Sequence, residues 1–231
     1  MNQFPPINES LQAGWDGYKK NFMLLGGLAL GYIAFAVLMS FLIGVVTLTL
    51  GSIAQTLLID IVIIIVGIVL EAEYIHFGLQ YIKGEAVSFK TWKPLFKESG
   101  YKTIFMQLLI GSIILFIGTF ILSILIFGSL LNLIATILIV LYIPFYPFLI
   151  VDKKMNFMDA CKKSMLMTKG VKGQLILFFI LLAALNILGA IALVVGLVVT
   201  IPVSLLAMVY VYSHLIGEED MPVEVMEAAT I

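Results

Sequence analysis

The fold class predicted for this chain is an all-α membrane protein. Six transmembrane helices form three hairpins, and a short amphipathic cytoplasmic helix precedes each hairpin. Three observations predict it. Hydrophobic residues make up 62% of the 231 residues and charged ones 12%, whereas soluble domains run near 45–50% and about 25%. A soluble fold of this length has no interior large enough for that apolar surface. The basic residues are all lysines, and they fall in three stretches: Lys19–Lys20, Lys83–Lys102 and Lys153–Lys172. The intervening runs, roughly 21–82, 103–151 and 173–217, hold no lysine. Each is about twice the ~20 residues that a helix needs to cross the hydrocarbon core, so each reads as two spans.

Turn signals divide the runs. Gly44 and the segment from Thr47 to Ser52 break the first, Phe127-Gly128-Ser129 the second, and Gly189 and Gly196 the third. The spans then lie near 22–45, 54–82, 103–125, 130–150, 174–192 and 196–216. Every lysine sits at the open end of a hairpin and the tips carry no charge, so the positive-inside rule puts both termini in the cytoplasm of a multi-pass plasma-membrane protein. The first apolar run is expected to be a retained span, being longer than a signal peptide's apolar core. Residues 218–231 read as an acidic cytoplasmic tail.

Three units resemble one another within a single domain, 1–231: about 8–85, 86–152 and 153–217. Gly17-Tyr18-Lys19, Gly100-Tyr101-Lys102 and Gly170-Val171-Lys172 precede the first, third and fifth spans. An amphipathic stretch precedes each. Leu11, Trp15 and Tyr18 mark the first, Phe89, Trp92 and Phe96 the second with Ser88 as its N-cap, and Phe157, Cys161, Ser164 and Thr168 the third. These helices are expected to lie on the cytoplasmic leaflet or to brace the hairpins. Trp15 and Trp92 suit the headgroup boundary. Lys19, Lys20, Lys93, Lys162 and Lys163 beside them attract anionic lipid headgroups, at about 1 kcal/mol each. The net charge of −1 gives nucleic acid no field to follow.

Polar groups within spans need a reason. Asp60 near the start of the second span, Asn132 in the fourth and Asn186 in the fifth fall at similar depth, either as interhelical hydrogen-bonding groups or as a substrate or proton site. Glu71, Glu73 and His76 follow in the second span. Glu73, His76 and Gln80 share one helix face, and Glu73-x-x-His76 has the spacing of carboxylate metal bundles. The other histidine, His214, has no acid one turn away, so no metal site is expected. Pro144, Pro147 and Pro202 should kink their helices, and Gly26, Gly27 and Gly31 suit close helix packing. Cys161, the lone cysteine, excludes an internal disulfide and reads as a small buried residue, a palmitoylation site or a reactive thiol.

The segments Ile150-Val151-Asp152-Lys153-Lys154, Asp159 to Ser164 and Thr168-Lys169-Gly170 resemble those of bacterial and archaeal six-span proteins. These are grouped around the membrane domain of glycerophosphoryl diester phosphodiesterases and allied membrane families. Lys83-Gly84-Glu85 is similar to their basic-Gly-Glu element, and Gly189, Gly196, Pro202 and Tyr210 to their last hairpin. The resemblance implies a compact bundle of hairpins with cytoplasmic helices. The hydrolytic barrel of the fused relatives has no counterpart here, so their activity is not implied.

No catalytic constellation and no cofactor motif is visible, so a non-enzymatic protein is expected: an accessory, scaffold or lipid-interacting component, with the bilayer and a membrane-protein partner as its contacts. The alternative is a small transporter with Asp60 or the Glu71–His76 region on its pathway.

Overall fold

The computed structural model describes residues 4–46, 52–85, 94–123, 128–192 and 196–216. Among them all regular structure is helical. Helix α1 spans Ile7–Lys20, α2 Phe22–Val46, α3 Ser52–Ile82, α4 Tyr101–Ser123 and α5 Gly128–Tyr142. Helix α6 spans Tyr146–Lys153, α7 Phe157–Met167, α8 Lys172–Ile191 and α9 Leu197–Leu215, with a 3₁₀ turn at Leu95–Lys97. Among the described residues four stretches are long and apolar enough to cross a membrane: Phe22–Met39, Tyr101–Gly118, Lys172–Ile191 and Leu197–Leu215. Neighbouring helices in sequence pack together as α2 on α3, α4 on α5 and α8 on α9.

Helix α9 is the axis of the packing, in contact with α1, α2, α3 and α8. Leu206, Ala207, Val209 and Val211 are buried there. Small residues let the helices approach. A Cβ on Gly78 of α3 would come within 2.6 Å of Val209 Cγ2, and one on Gly189 of α8 would run into Thr200 Oγ1 of α9. Gly26 faces Tyr18 and Val198, but nothing lies within 4 Å of Gly27 or Gly31, so of these three glycines only the first serves close packing.

The first amphipathic stretch is helical, and Leu11 and Tyr18 of its apolar stripe pack partly buried against the core, while its fully buried face is polar or small. Ser10, Gly14 and Gly17 are its buried residues, and the two glycines face α9 and Tyr81. A Cβ on Gly14 would strike the Val203 carbonyl oxygen. Trp15 is 46% exposed. Glycine inside a helix costs about 1 kcal/mol against alanine; here it permits backbone contact that any larger side chain would forbid. In the second unit Phe89, Trp92, Lys93 and Ser88 lie outside the described residues, and Phe96, in the 3₁₀ turn, is exposed. In the third unit α7 buries Phe157, Ala160, Ser164 and Met167 against α6 and α4. The Asn156 side chain caps it by accepting from Asp159 N at 3.0 Å.

The fourth apolar segment, expected as one span over 130–150, is two helices. Pro144 has no N–H to donate and its ring crowds the preceding turn, so α5 stops at Tyr142 and α6 starts at Tyr146. Helix α7 satisfies the exposed backbone. Ser164 Oγ accepts from Phe145 N at 3.1 Å, and Thr168 Oγ1 reaches the Tyr142 carbonyl at 3.4 Å. Pro147 falls in the first turn of α6, where a missing N–H costs nothing. Pro202 lies inside α9 without interrupting it.

The three Gly-containing joints are not alike. Gly100 and Gly170 have φ of 95° and 91° just ahead of α4 and α8, a conformation that suits glycine. Gly17 is helical, and the chain turns instead at Asn21.

Candidate functional site at the lysine-bearing helix ends

Asp152 closes α6 and gathers three helix ends. Lys83, at the end of α3, lies 3.3 Å from its Oδ1. The Tyr212 hydroxyl of α9 donates to its Oδ2 at 3.0 Å, and Lys153 stands 3.8 Å away. The Asp152 side chain is only 11% exposed, so these contacts replace water that the carboxylate has lost. Local sequence sets each partner. Gly84, with φ 76°, ends α3 in a paired-bond cap in which Gly84 N reaches Tyr81 O and Glu85 N reaches Gln80 O at 3.1 Å. Lys154, in the left-handed region at φ 53°, ends α6 and donates to Ser99 O at 2.9 Å.

Further back along α3, Glu73 is buried and its Oε2 accepts from Leu95 N at 3.0 Å, with the Phe96 amide as a second donor. A carboxylate at the start of the 3₁₀ turn takes up amides that the turn itself leaves open. Glu73 therefore fastens the segment after residue 93 to α3. Gln80 is buried and His76 half-buried on the same face. Glu71 is half-buried two residues back.

Beside this face lies a cavity of about 270 Å³. Leu79, Leu95, Ile104 and Val151 form its apolar wall, and His76 and Gln80 present polar atoms. Lys83, Lys154, Asp152, Glu85 and Glu98 supply charges of both signs. The pairing of Glu73 and His76 on one face is thus realised, with Glu73 spent on the backbone and His76 on the cavity. Among the described residues no group of three or more His, Cys, Asp and Glu is placed to hold a metal ion. His214 Nδ1 is 2.9 Å from the Tyr210 carbonyl and its ring packs 4.3 Å from that of Tyr210; it does not line the cavity.

Of Asp60, Asn132 and Asn186, expected at similar depth, the side chains of the two asparagines are described. Asn186 of α8 donates to Leu182 O at 2.8 Å and to Ser204 Oγ of α9 at 2.9 Å, the interhelical use of a polar side chain. Asn132 is half-buried with its Oδ1 enclosed. Asp60 falls within α3, its side chain outside the described residues.

At the surface, Trp15 stacks on Tyr18 at 6.3 Å and Lys19 reaches both the Trp15 ring and Asp16. That hydrogen bond from Lys19 holds the Asp16 carboxyl below the usual carboxylate range. Lys20 lies 5.8 Å from the Tyr81 ring, and Lys172 only 3.1 Å from the Tyr142 ring, a cation–π contact at the α5 break. Lys162 and Lys163 are exposed, the former 3.8 Å from Asp159. Cys161 is half-buried, and burial pushes its thiol up to about 11, which leaves little thiolate near neutrality.

Three features of this site carry no local motif. Tyr212 reads as an ordinary aromatic of an apolar helix. Glu73 finds its partner 22 residues away. Gln107 of α4 accepts from Phe157 N at 3.0 Å, across 50 residues. No family model matches the chain, and neither a curated protein nor a solved structure shows significant similarity to it.

Proposed function

We propose that this chain is a six-span plasma-membrane protein of three hairpins with cytoplasmic termini. It acts without catalysis, as an accessory or scaffold component that engages lipid and a membrane-protein partner at its lysine-bearing end. The observation that carries the reading is the Asp152 junction. It ties Lys83, Lys153 and Tyr212, and so the ends of α3, α6 and α9, one from each expected hairpin. Lysines of separate segments then share one side, which is what the positive-inside rule asks of a threaded bundle. Exposed apolar faces on α2, α4, α5 and α8, among them Phe41, Ile117, Leu133 and Ile180, support lipid as the surrounding solvent. Exposed Lys162 and Lys163 near that end suit anionic headgroups. The resemblance to the phosphodiesterase membrane domain belongs to the same reading: Lys83-Gly84-Glu85 and Val151-Asp152 are the pieces that meet at the junction.

Single cysteines introduced into a Cys161→Ser protein test it. Replacements at the tips, Ser52→Cys and Ser129→Cys, should react with an impermeant maleimide added to intact cells, and Lys169→Cys should react only after lysis. Labelling of Lys169→Cys from outside overturns the topology. Purification in mild detergent should retain a membrane-protein partner, and loss of that partner with Lys162→Ala/Lys163→Ala would place it at this end.

The cavity beside His76 and Gln80 favours a second reading, a small carrier with the Glu71–His76 region on its pathway. That reading requires substrate flux in proteoliposomes that His76→Ala abolishes while the protein still elutes as a folded species.

A further inference from the structure

We propose that the cavity between α3, the 94–100 segment and the end of α6 is a binding site for a phosphate–ammonium zwitterion, the chemistry of an aminoalkyl phosphate headgroup. The charges around the cavity are not all spent on one another. Asp152 is taken by Lys83 and Tyr212. Lys154 gives one hydrogen bond to Ser99 O, which leaves two of the three donors of its ammonium group. Glu85 and Glu98 also line the cavity, and among the described residues neither makes an ion pair. Among the described residues, one ammonium and two carboxylates therefore face the same space without an ion-pair partner. A simple anion would meet both carboxylates, and a simple cation would leave the Lys154 ammonium unanswered. A ligand with a charge of each sign satisfies both sets.

Size and setting narrow the class. About 270 Å³ is at the small end of ligand cavities, enough for a headgroup. Leu79, Leu95, Ile104 and Val151 offer an apolar wall for the carbon atoms between the two charges. A phosphate accepts several hydrogen bonds at once, which suits the free donors of Lys154 with Lys83 close by. A primary ammonium donates to Glu85 and Glu98, where a quaternary one cannot. The choice of phosphate over carboxylate for the acidic half rests on the proposed topology, which sets this end among lipid headgroups.

The test uses the full-length protein in maltoside micelles. Titration calorimetry compares dihexanoyl phosphatidylethanolamine, the matching phosphatidylglycerol and phosphatidylcholine, free O-phosphoethanolamine, and β-alanine. The ethanolamine lipid should bind roughly tenfold more tightly than the glycerol or choline lipid, and the Glu85→Gln/Glu98→Gln double variant should lose that preference, since charge-assisted hydrogen bonds are worth about a factor of ten or more. Both glutamates are exposed, so the variant should fold; an unchanged elution profile and melting midpoint check that. Binding of O-phosphoethanolamine as tight as that of the lipid makes the source a free solute, and binding of the lipid alone makes it a membrane headgroup; either supports the site. The proposal falls if no phosphate–ammonium probe binds, if β-alanine or the glycerol lipid binds as tightly, or if the double variant keeps the preference. Sidedness plays no part in micelles, so failure of the cysteine labelling and failure of the titration are distinguishable outcomes.

Discussion

Helices α9 and α4 are alike in length and apolar content, yet 61% of the Leu197–Leu215 stretch is buried within the protein and 17% of Tyr101–Gly118. Hydrophobicity does not explain the difference. Along α4, Met106, Ile110, Ile113, Ile117 and Ile121 point outward, which suits the lipid surroundings proposed above. Along α9, the inward positions meet small residues on three neighbours: Gly14 from α1, Gly78 from α3 and Gly189 from α8. In a lipid environment, transfer out of the surroundings gains nothing, so close backbone approach and hydrogen bonding decide which helix becomes the axis.

The largest effect should come from closing the tightest of these approaches. A Cβ at Gly14 meets the Val203 carbonyl oxygen and lies 3.0 Å from Ala207 N; both are backbone atoms and cannot turn aside. Gly14→Leu should lift α1 from α9 at a cost of about 3 kcal/mol, the upper range for overpacking, read as a fall in the thermal midpoint of the detergent-solubilised protein. Gly27→Leu is the matched control: nothing lies within 4 Å of that position, so its cost should stay near ~0.5 kcal/mol. Equal costs for the two would remove the contrast between axis and periphery.

The same contrast separates what the sequence makes legible from what it hides. Helix positions follow from apolar length and turn residues, because lipid forces backbone groups to bond within each segment. The packed face of α1 follows in part: Leu11 and Tyr18 of the hydropathy stripe rest against the core, but the fully buried Ser10, Gly14 and Gly17, spaced four and three apart, carry no hydropathy signal. A small-residue stripe is the available clue. The Asp152 and Lys83 motifs point to the junction, but Tyr212 does not, since a tyrosine in an apolar helix gives no hint of where its hydroxyl ends. Glu73 looks like a ligand by its spacing to His76; its amide partners on the 3₁₀ turn are set by tertiary packing alone.

The next effect sharpens the same comparison at the lysine-bearing end. Asp152→Ala should cost about 2 kcal/mol, because it strips a partner from Lys83, Lys153 and Tyr212 at once. The shares should be unequal. Lys83 is 43% exposed, so water replaces most of what it loses and Lys83→Met should cost no more than ~0.5 kcal/mol. Tyr212 is buried, and Tyr212→Phe should cost about 1 kcal/mol, much of it from the desolvated carboxylate it leaves behind. A larger loss for Lys83→Met would mean that the ion pair, not the hydroxyl, holds the helix ends together.

Ser164→Ala examines the break before α6. It leaves the buried Phe145 N–H without its 3.1 Å acceptor, at about 1 kcal/mol for one unpaired amide. The same variant should speed hydrogen exchange at Phe145 while leaving the amides of α9 unchanged. Uniform acceleration would instead show that the break and the axis open as one unit.

Asn186→Leu should give a smaller change than Gly14→Leu, Asp152→Ala or Ser164→Ala, and its size separates the two surroundings most finely. The side chain spans α8 and α9 through Ser204, but it also donates to its own helix at Leu182. Removing it frees Ser204, whose hydroxyl can turn to a carbonyl one turn back along α9. Leucine at the same place gains contact with lipid or neighbouring side chains. Interhelical hydrogen bonds inside bilayers average about 0.6 kcal/mol, because the separated helices find other partners. A loss near that value is expected for Asn186→Leu. A loss of about 2 kcal/mol or more would put Asn186 in a water-free polar interior with no substitute partner, and would move α8 from the exposed periphery into the same class as α9.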